Sequence, residues 1–249
     1  MMKPFELTYL LLTPVIAPLQ RIVRRRLTEL VKELPQRPCI LDVGGRKSHY
    51  TIGVPGDITI SDLPRVSNVQ KALHLGINDD IMKSTLARRS NVQAVVYDDM
   101  SRSKLADASF DCVVSVEVLE HVEEDAAFAQ NVARVLKPGG FFFMTTPNGE
   151  SVQHNNPDHK RHYTREQLRA VLAPYFHRVE IEYAIVGGRY RRWGLKSWTP
   201  RQPINTLKSM AGNFMNYRQS ARDEVKAKAQ GTRHLIALAR MPDFVAAGR

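Results

Sequence analysis

The chain is poor in cysteine, with two in 249 residues, Cys39 and Cys112. Two thiols build neither a disulfide scaffold nor a cysteine-rich zinc site, and they point to a reducing, cytoplasmic setting. Long apolar runs are also missing. None reaches the ~20 residues a helix needs to span a bilayer, which excludes a helical channel or transporter. Acidic residues are scarce at both ends. Residues 1–37 carry seven Lys and Arg against three Asp and Glu, and residues 187–249 carry 13 against three. Residues 38–186 carry 16 against 19, so the net charge of +11 sits on the flanks. Such basic patches suit an acidic small molecule, a membrane surface or RNA, or simply keep the protein soluble. No recognised RNA-binding module accompanies them. What remains is ordinary globular composition, 43% hydrophobic and 24% charged, which excludes wholesale disorder.

The N-terminus is apolar over Tyr9–Leu19, but its arginines follow that stretch, whereas a secretory signal places its charges before it. Pro14 and Pro18 interrupt any helix there. Leu19, Ile22, Val23, Leu27, Leu30, Val31 and Leu34 then recur at three- and four-residue steps, predicting an amphipathic helix that Pro35 and Pro38 end. Residues 1–37 thus read as a helical extension. It either caps the main domain or lies on anionic lipid, with Leu10–Leu12 entering the headgroups.

From residue 38 the pattern alternates. Short apolar runs at 39–43, 57–62, 92–97, 110–115, 141–146, 178–186 and 234–239 predict strands, with helices at 125–136 and 164–172. Thr164 with Gln167 forms a capping box, and Lys137-Pro138-Gly139-Gly140 stops the preceding helix. The expected fold is α/β: a Rossmann-like, doubly wound, mostly parallel seven-stranded sheet covering residues 38–249. A basic, aromatic insertion at 187–231 precedes the last strand. Sheets of this kind bind ligands at the carboxyl ends of their strands. Asp42, Asp62 and Asp99 fall at three such ends. Gly44 and Gly45 allow a tight turn and close backbone approach. Asp62 is placed to grip two ribose hydroxyls, Asp99 to accept from an adenine amino group, and Asp42 to meet an ammonium directly or through water. Three acids suit a neutral or cationic nucleoside and oppose a polyphosphate.

Four stretches, 40–45, 106–111, 118–122 and 134–140, resemble those of class I S-adenosylmethionine (SAM)-dependent methyltransferases. The resemblance implies SAM as cofactor and S-adenosylhomocysteine (SAH) as product. It also places Leu63, Met100 and Ser115 beside the three acids and two glycines around the cofactor. The family's first loop usually has a second glycine two residues after the first. Here Arg46 and Ser48 stand where further glycines are usual, so a loop with a different path is expected.

The implied reaction is methyl transfer to a small or lipid-like acceptor, at a hydroxyl oxygen. Alternatives are an RNA or protein acceptor, or a non-catalytic partner subunit. A hydroxyl needs a base, and the polar loop 148–163 offers His154, His159 and His162. The run Glu117-Val118-Leu119-Glu120-His121 resembles the metal-binding stretch of ubiquinone-biosynthesis O-methyltransferases. Glu117, Glu120 and His121 are thereby weak ligand candidates for Mg²⁺, which is not the favoured reading because Mg²⁺ prefers oxygen. Tyr163, Arg189, Trp193 and Trp198 are candidate acceptor contacts.

Overall fold

The computed structural model describes residues 2–65, 76–153, 156–196 and 198–243. Seven strands form one sheet: β1 Cys39–Val43, β2 Asp57–Asp62, β3 Val92–Tyr97, β4 Phe110–Val116, β5 Leu136–Pro147, β6 Arg178–Val186 and β7 Thr232–Arg240. Their spatial order is β3-β2-β1-β4-β5-β7-β6. The first five run parallel, and β7 lies antiparallel between β5 and β6. The order reverses between β1 and β4, which opens a crevice at their carboxyl ends.

Among the described residues the helices are α1 Pro4–Leu12, α2 Pro18–Lys32, α3 Asp79–Arg88, α4 Asp125–Val135, α5 Arg165–Leu172, α6 Arg189–Gly194, α7 Pro203–Ser220 and the short α8 Asp223–Lys226. Successive strand residues point to opposite faces of a sheet, so each core strand feeds two clusters. Leu41, Val113 and Phe142 pack with Phe128 and Val132 of α4 and Leu168 and Leu172 of α5. Ile40, Cys112, Phe141 and Phe143 pack with Ile22, Val23, Leu27, Leu30 and Val31 of α2. The apolar stripe expected between residues 19 and 34 is therefore spent inside the protein. At roughly 1.5–3 kcal/mol per buried aliphatic side chain, α2 belongs to the core of the sheet domain.

The predicted strands are all present, and Thr164 and Gln167 form the expected reciprocal cap on α5. β5 differs at its start. It begins at Leu136, which pairs with Phe110, and the register shifts before Cys112 meets Phe141. The Lys137–Gly140 stretch is thus an irregularity within the strand rather than a separate stop. Helices α1, α3, α6 and α7 were not expected from the sequence pattern.

A buried polar network fixes the end of β1. Asp42 is fully buried; Tyr50 Oη donates to its Oδ1 at 2.8 Å and Thr51 Oγ1 to its Oδ2 at 3.2 Å. Buried Arg89, just after α3, donates to Thr51 Oγ1 at 2.9 Å and to the Ser48 carbonyl at 3.0 Å. Glu6 of α1, also fully buried, accepts from the backbone N–H groups of Lys3 and Ser90. Burial pushes the Asp42 carboxyl up to about 6, against the opposing pull of Ser48, Tyr50, Arg89 and Thr51.

A carboxyl raised above its unfolded value binds its proton more tightly in the folded state. Its contribution is therefore most favourable at low pH and is lost as pH rises through the folded value, a loss of roughly 3 kcal/mol at most between about pH 4 and 6. Asp42→Asn removes that titration. Relative to wild type, the variant is expected to gain stability on going from about pH 4.5 to about pH 7. Urea unfolding at both values checks this, and an unchanged difference refutes it.

Candidate functional site

The turn after β1 shows why its two glycines matter. Gly44 has φ +69°, and an added Cβ there would lie 2.6 Å from Val118 Cγ2. A Cβ on Gly45 would fall inside the Asp42 carboxyl group. Arg46 lies in the 3-10 turn Gly45–Lys47 and is not among the residues with positive φ. The loop therefore needs its left-handed residue only at Gly44, which explains how Arg46 and Ser48 are accommodated. The Ser48 side chain is buried, and both its hydroxyl and its N–H donate to the Gly45 carbonyl. The Arg46 guanidinium donates to the Gly76 carbonyl at 3.3 Å.

The three strand-end acids occupy neighbouring strands but face differently. Asp42 turns inward, and both its oxygens are engaged by Tyr50 and Thr51, so it offers no direct contact to an ammonium. Its role in this structure is to hold the loop. Asp62 is half-buried at the end of β2 and accepts from the Leu63 N–H at 2.8 Å. Asp99 is exposed and caps the turn Met100–Arg102 through the Ser101 N–H. The Asp98 N–H donates to the Asp62 carbonyl at 3.2 Å, which joins these two ends. Leu63 is exposed and Met100 buried. Val43 pairs with Ser61 on one side and Ser115 on the other, and both serine hydroxyls are buried without a partner among the described residues.

At the end of β4, Glu117 takes φ +56°, rare for a residue with a side chain. Its Oε1 accepts from Thr145 Oγ1 at 2.8 Å, and its Oε2 lies 3.1 Å from His234 Nδ1 at the start of β7, close enough for an ion pair but without hydrogen-bond geometry. Burial opposes ionisation of Glu117, but His234, Thr145 and His159 outweigh it and hold the carboxyl below its ordinary range. Glu120, one turn on, goes the other way. Burial and the charge of Glu117 raise it well above the carboxylate range. Its Oε1 is buried without a hydrogen-bond partner among the described residues.

Two cavities meet at this pair. One, of about 320 Å³, runs from Gly44 and Tyr50 past Val116 and Glu117 to His234; Pro18, Arg191, Leu195 and Asn213 help to close it. The other, of about 580 Å³, is lined by His159, His162, Arg191 and Arg233, and again by Glu117 and His234. His159 Nδ1 and His162 Nε2 are 2.7 Å apart. His154, read with them from the sequence, lies outside the described residues.

Of the metal candidates, Glu120 and His121 do come together, but with His159 rather than Glu117; the ligand atoms of the three lie within 4.8 Å of one another. One carboxylate and two imidazoles do not fit Mg²⁺, which takes oxygen ligands. Of the candidate acceptor contacts, none lines either cavity. Tyr163 is buried and donates to Asp125, which ties the loop before α5 to α4. Arg189 stacks on Tyr190, and Trp193 and Trp198 are partly exposed, Trp198 donating through Nε1 to Ser209 of α7. Arg191 faces the cavities instead. Sequence reasoning missed it because a six-residue helix gives no periodicity by which to choose a face. It also missed the pairing of His234 with Glu117. The signal lay in the strand order, since an antiparallel last strand brings its first residues to the carboxyl ends of the others.

Residues 60–144 match a family described as Methyltransferase domain. A probable S-adenosylmethionine-dependent methyltransferase of Mycolicibacterium smegmatis is 32% identical over 97 residues, covering 37% of this chain and 38% of that protein. The ubiquinone biosynthesis O-methyltransferase of Paracidovorax citrulli is 44% identical over 57 residues, covering 22% of this chain and 24% of that protein. The matches thus span well under half of these relatives' lengths. The crystal structure of a SAM-dependent methyltransferase from Archaeoglobus fulgidus superposes with TM-score 0.56 at 17% identity, covering 89% of this chain and 94% of that one. Residues 60–144 thus match a methyltransferase domain, the chain is similar in sequence to SAM-dependent methyltransferases, and its fold is that of a solved one.

Proposed function

We propose that the protein transfers the SAM methyl group to a hydroxyl oxygen of a small or lipid-like acceptor. The observation that carries this reading is the Glu117–His234 pair, set where two cavities meet beside the Gly44 turn. The shared name of the O-methyltransferase relatives supports an oxygen acceptor. The free thiols Cys39 and Cys112 agree with a cytoplasmic setting.

The residues present fit the cofactor. Gly44 and Gly45 leave no room for a Cβ on the protein side, so the backbone itself forms the floor beneath the methionine end. The orphan Ser115 hydroxyl stands at the same level of the sheet. Asp62, with exposed Leu63 beside it, would accept from ribose hydroxyls and exposed Asp99 from the adenine amino group, with Met100 buried behind Asp99. SAM supplies a methyl already activated by its sulfonium, so the protein mainly aligns it with the nucleophile and excludes water. An alcohol or phenol must also lose a proton. His234 Nδ1 lies 3.1 Å from the Glu117 carboxylate without a hydrogen bond between them in this structure, and with the proton on that nitrogen the other ring nitrogen is the acceptor for the substrate proton. His159 and His162, which line the larger cavity together with His234, form the second place to which it can pass. Arg191, between both cavities, favours an acceptor carrying negative charge.

Calorimetry with SAM and SAH tests the cofactor reading, and absence of binding by wild type refutes it. Asp62→Ala is expected to weaken SAM about 10–100-fold through lost ribose hydrogen bonds, with the unfolding midpoint little changed. His234→Ala is expected to leave SAM affinity intact and to lower kcat about 10²–10⁴-fold, followed as SAH formed with a panel of phenols, catechols and their alkylated forms. Wild-type turnover on this panel with full activity in the variant would remove His234 as the base.

A further inference from the structure

Helix α7 is inside out. Its buried positions are Ser209, Gly212, Asn213, Asn216 and Ser220, small or polar throughout. Asn213 donates to the Val15 carbonyl, Asn216 to the Val186 carbonyl, and Ser209 to the carbonyls of Gly194 and Lys196. The outward face carries Ile204 and Leu207, 68% and 65% exposed, then Phe214 and Met215 at helical spacing. A helix on a protein surface ordinarily does the reverse. Beside it, α6 and the turn after it expose Trp193, Leu195 and Trp198. The 3-10 turn that Asn213 grips follows α1, whose Leu7 and Leu11 are exposed as well. Among the described residues nothing covers this apolar face.

Charge selects the occupant. Residues 187–220 contain seven Arg and Lys and no Asp or Glu. Arg189, Arg192, Lys196, Arg201, Lys208 and Arg218 are all exposed. A second copy would bring the same cations against themselves, whereas anionic lipid neutralises them at about 1 kcal/mol each near a membrane surface. Tryptophan beside aliphatic side chains and cations is the composition of a membrane–water interface. No helix among the described residues is long and apolar enough to cross a membrane, so the fit is to the surface of a bilayer.

We propose that the outward face of α6 and α7 docks on an anionic lipid bilayer and opens the acceptor cavity toward it. Leu195 makes the connection, being 67% exposed on this face and also lining the cavity that begins at Gly44. A lipid-like acceptor then reaches Arg191 and His234 without leaving the interface. Only this last point rests on the proposed function; the docking does not. It also differs from the sequence expectation of an interfacial N-terminal helix, since the stripe of α2 is buried.

Both tryptophans of the chain, Trp193 and Trp198, are partly exposed in the segment beside α7, where Trp198 Nε1 donates to Ser209, so intrinsic fluorescence reports on this region. Phosphatidylglycerol vesicles are expected to blue-shift the emission and carry the full chain in flotation, while phosphatidylcholine vesicles and high salt reduce both. Leu207→Glu is expected to weaken binding to phosphatidylglycerol about tenfold or more. The double variant Lys208→Glu/Arg218→Glu should weaken it similarly, and both should retain wild-type SAM affinity by calorimetry. No binding to phosphatidylglycerol, equal binding to both lipids, or binding untouched by these variants would overturn the proposal. So would a stable dimer in light scattering that Leu207→Glu dissociates. If SAM binding is absent while vesicle docking persists, the methyl-transfer reading fails and the docking stands.

Discussion

The site depends on a carboxylate that no solvent reaches. Asp42 sits under the turn that β1 makes, and Gly45 lacks a Cβ because the Asp42 carboxyl group fills that space. Tyr50, Thr51 and Arg89 then complete a buried network spanning the loop, the segment that follows it and the start of β3. A half-satisfied buried charge is costly, so the network holds as a unit or not at all. That cooperativity gives the Gly44 turn a single conformation and lets Arg46 and Ser48 stand where glycines are usual.

Glu117 and Glu120 show how one short segment separates two carboxylates chemically. The left-handed backbone at Glu117 swings its side chain to Thr145 and His234, where an imidazole and a hydroxyl favour the charged form. Glu120 is turned into the interior, and the charge of its neighbour raises it further. Environments that push neighbouring pKa values apart are how a fold obtains an acid and a base from the same residue type.

The strands were legible because a sheet covered on both faces writes itself as short continuous apolar runs, as at Phe141–Met144 and Phe110–Val114. The glycine turn and Asp62 and Asp99 were legible because each sits at a fixed offset from such a run. The inward turn of Asp42 was not, since its partners Tyr50, Thr51 and Arg89 are not marked by any local pattern. The insertion resisted reading for a different reason. α7 reverses the polarity that periodicity arguments assume, so its apolar residues signal a core that is not there. Residue type alone points to Trp193, Trp198 and Arg189 as acceptor contacts, yet none of them lines either cavity, whereas Arg191 lines both.

The antiparallel placement of β7 divides the labour of the chain by sequence. The turn and acids assigned to the nucleoside lie between residues 42 and 100, and the domain match ends at residue 144. The histidines, Arg191 and the helical roof come after it. Glu117 lies inside the matched stretch and His234 beyond it, so this pair joins the two parts of the chain. Under the proposed function, a substitution at Arg191 or His159 alters the acceptor side without touching the Gly44 turn.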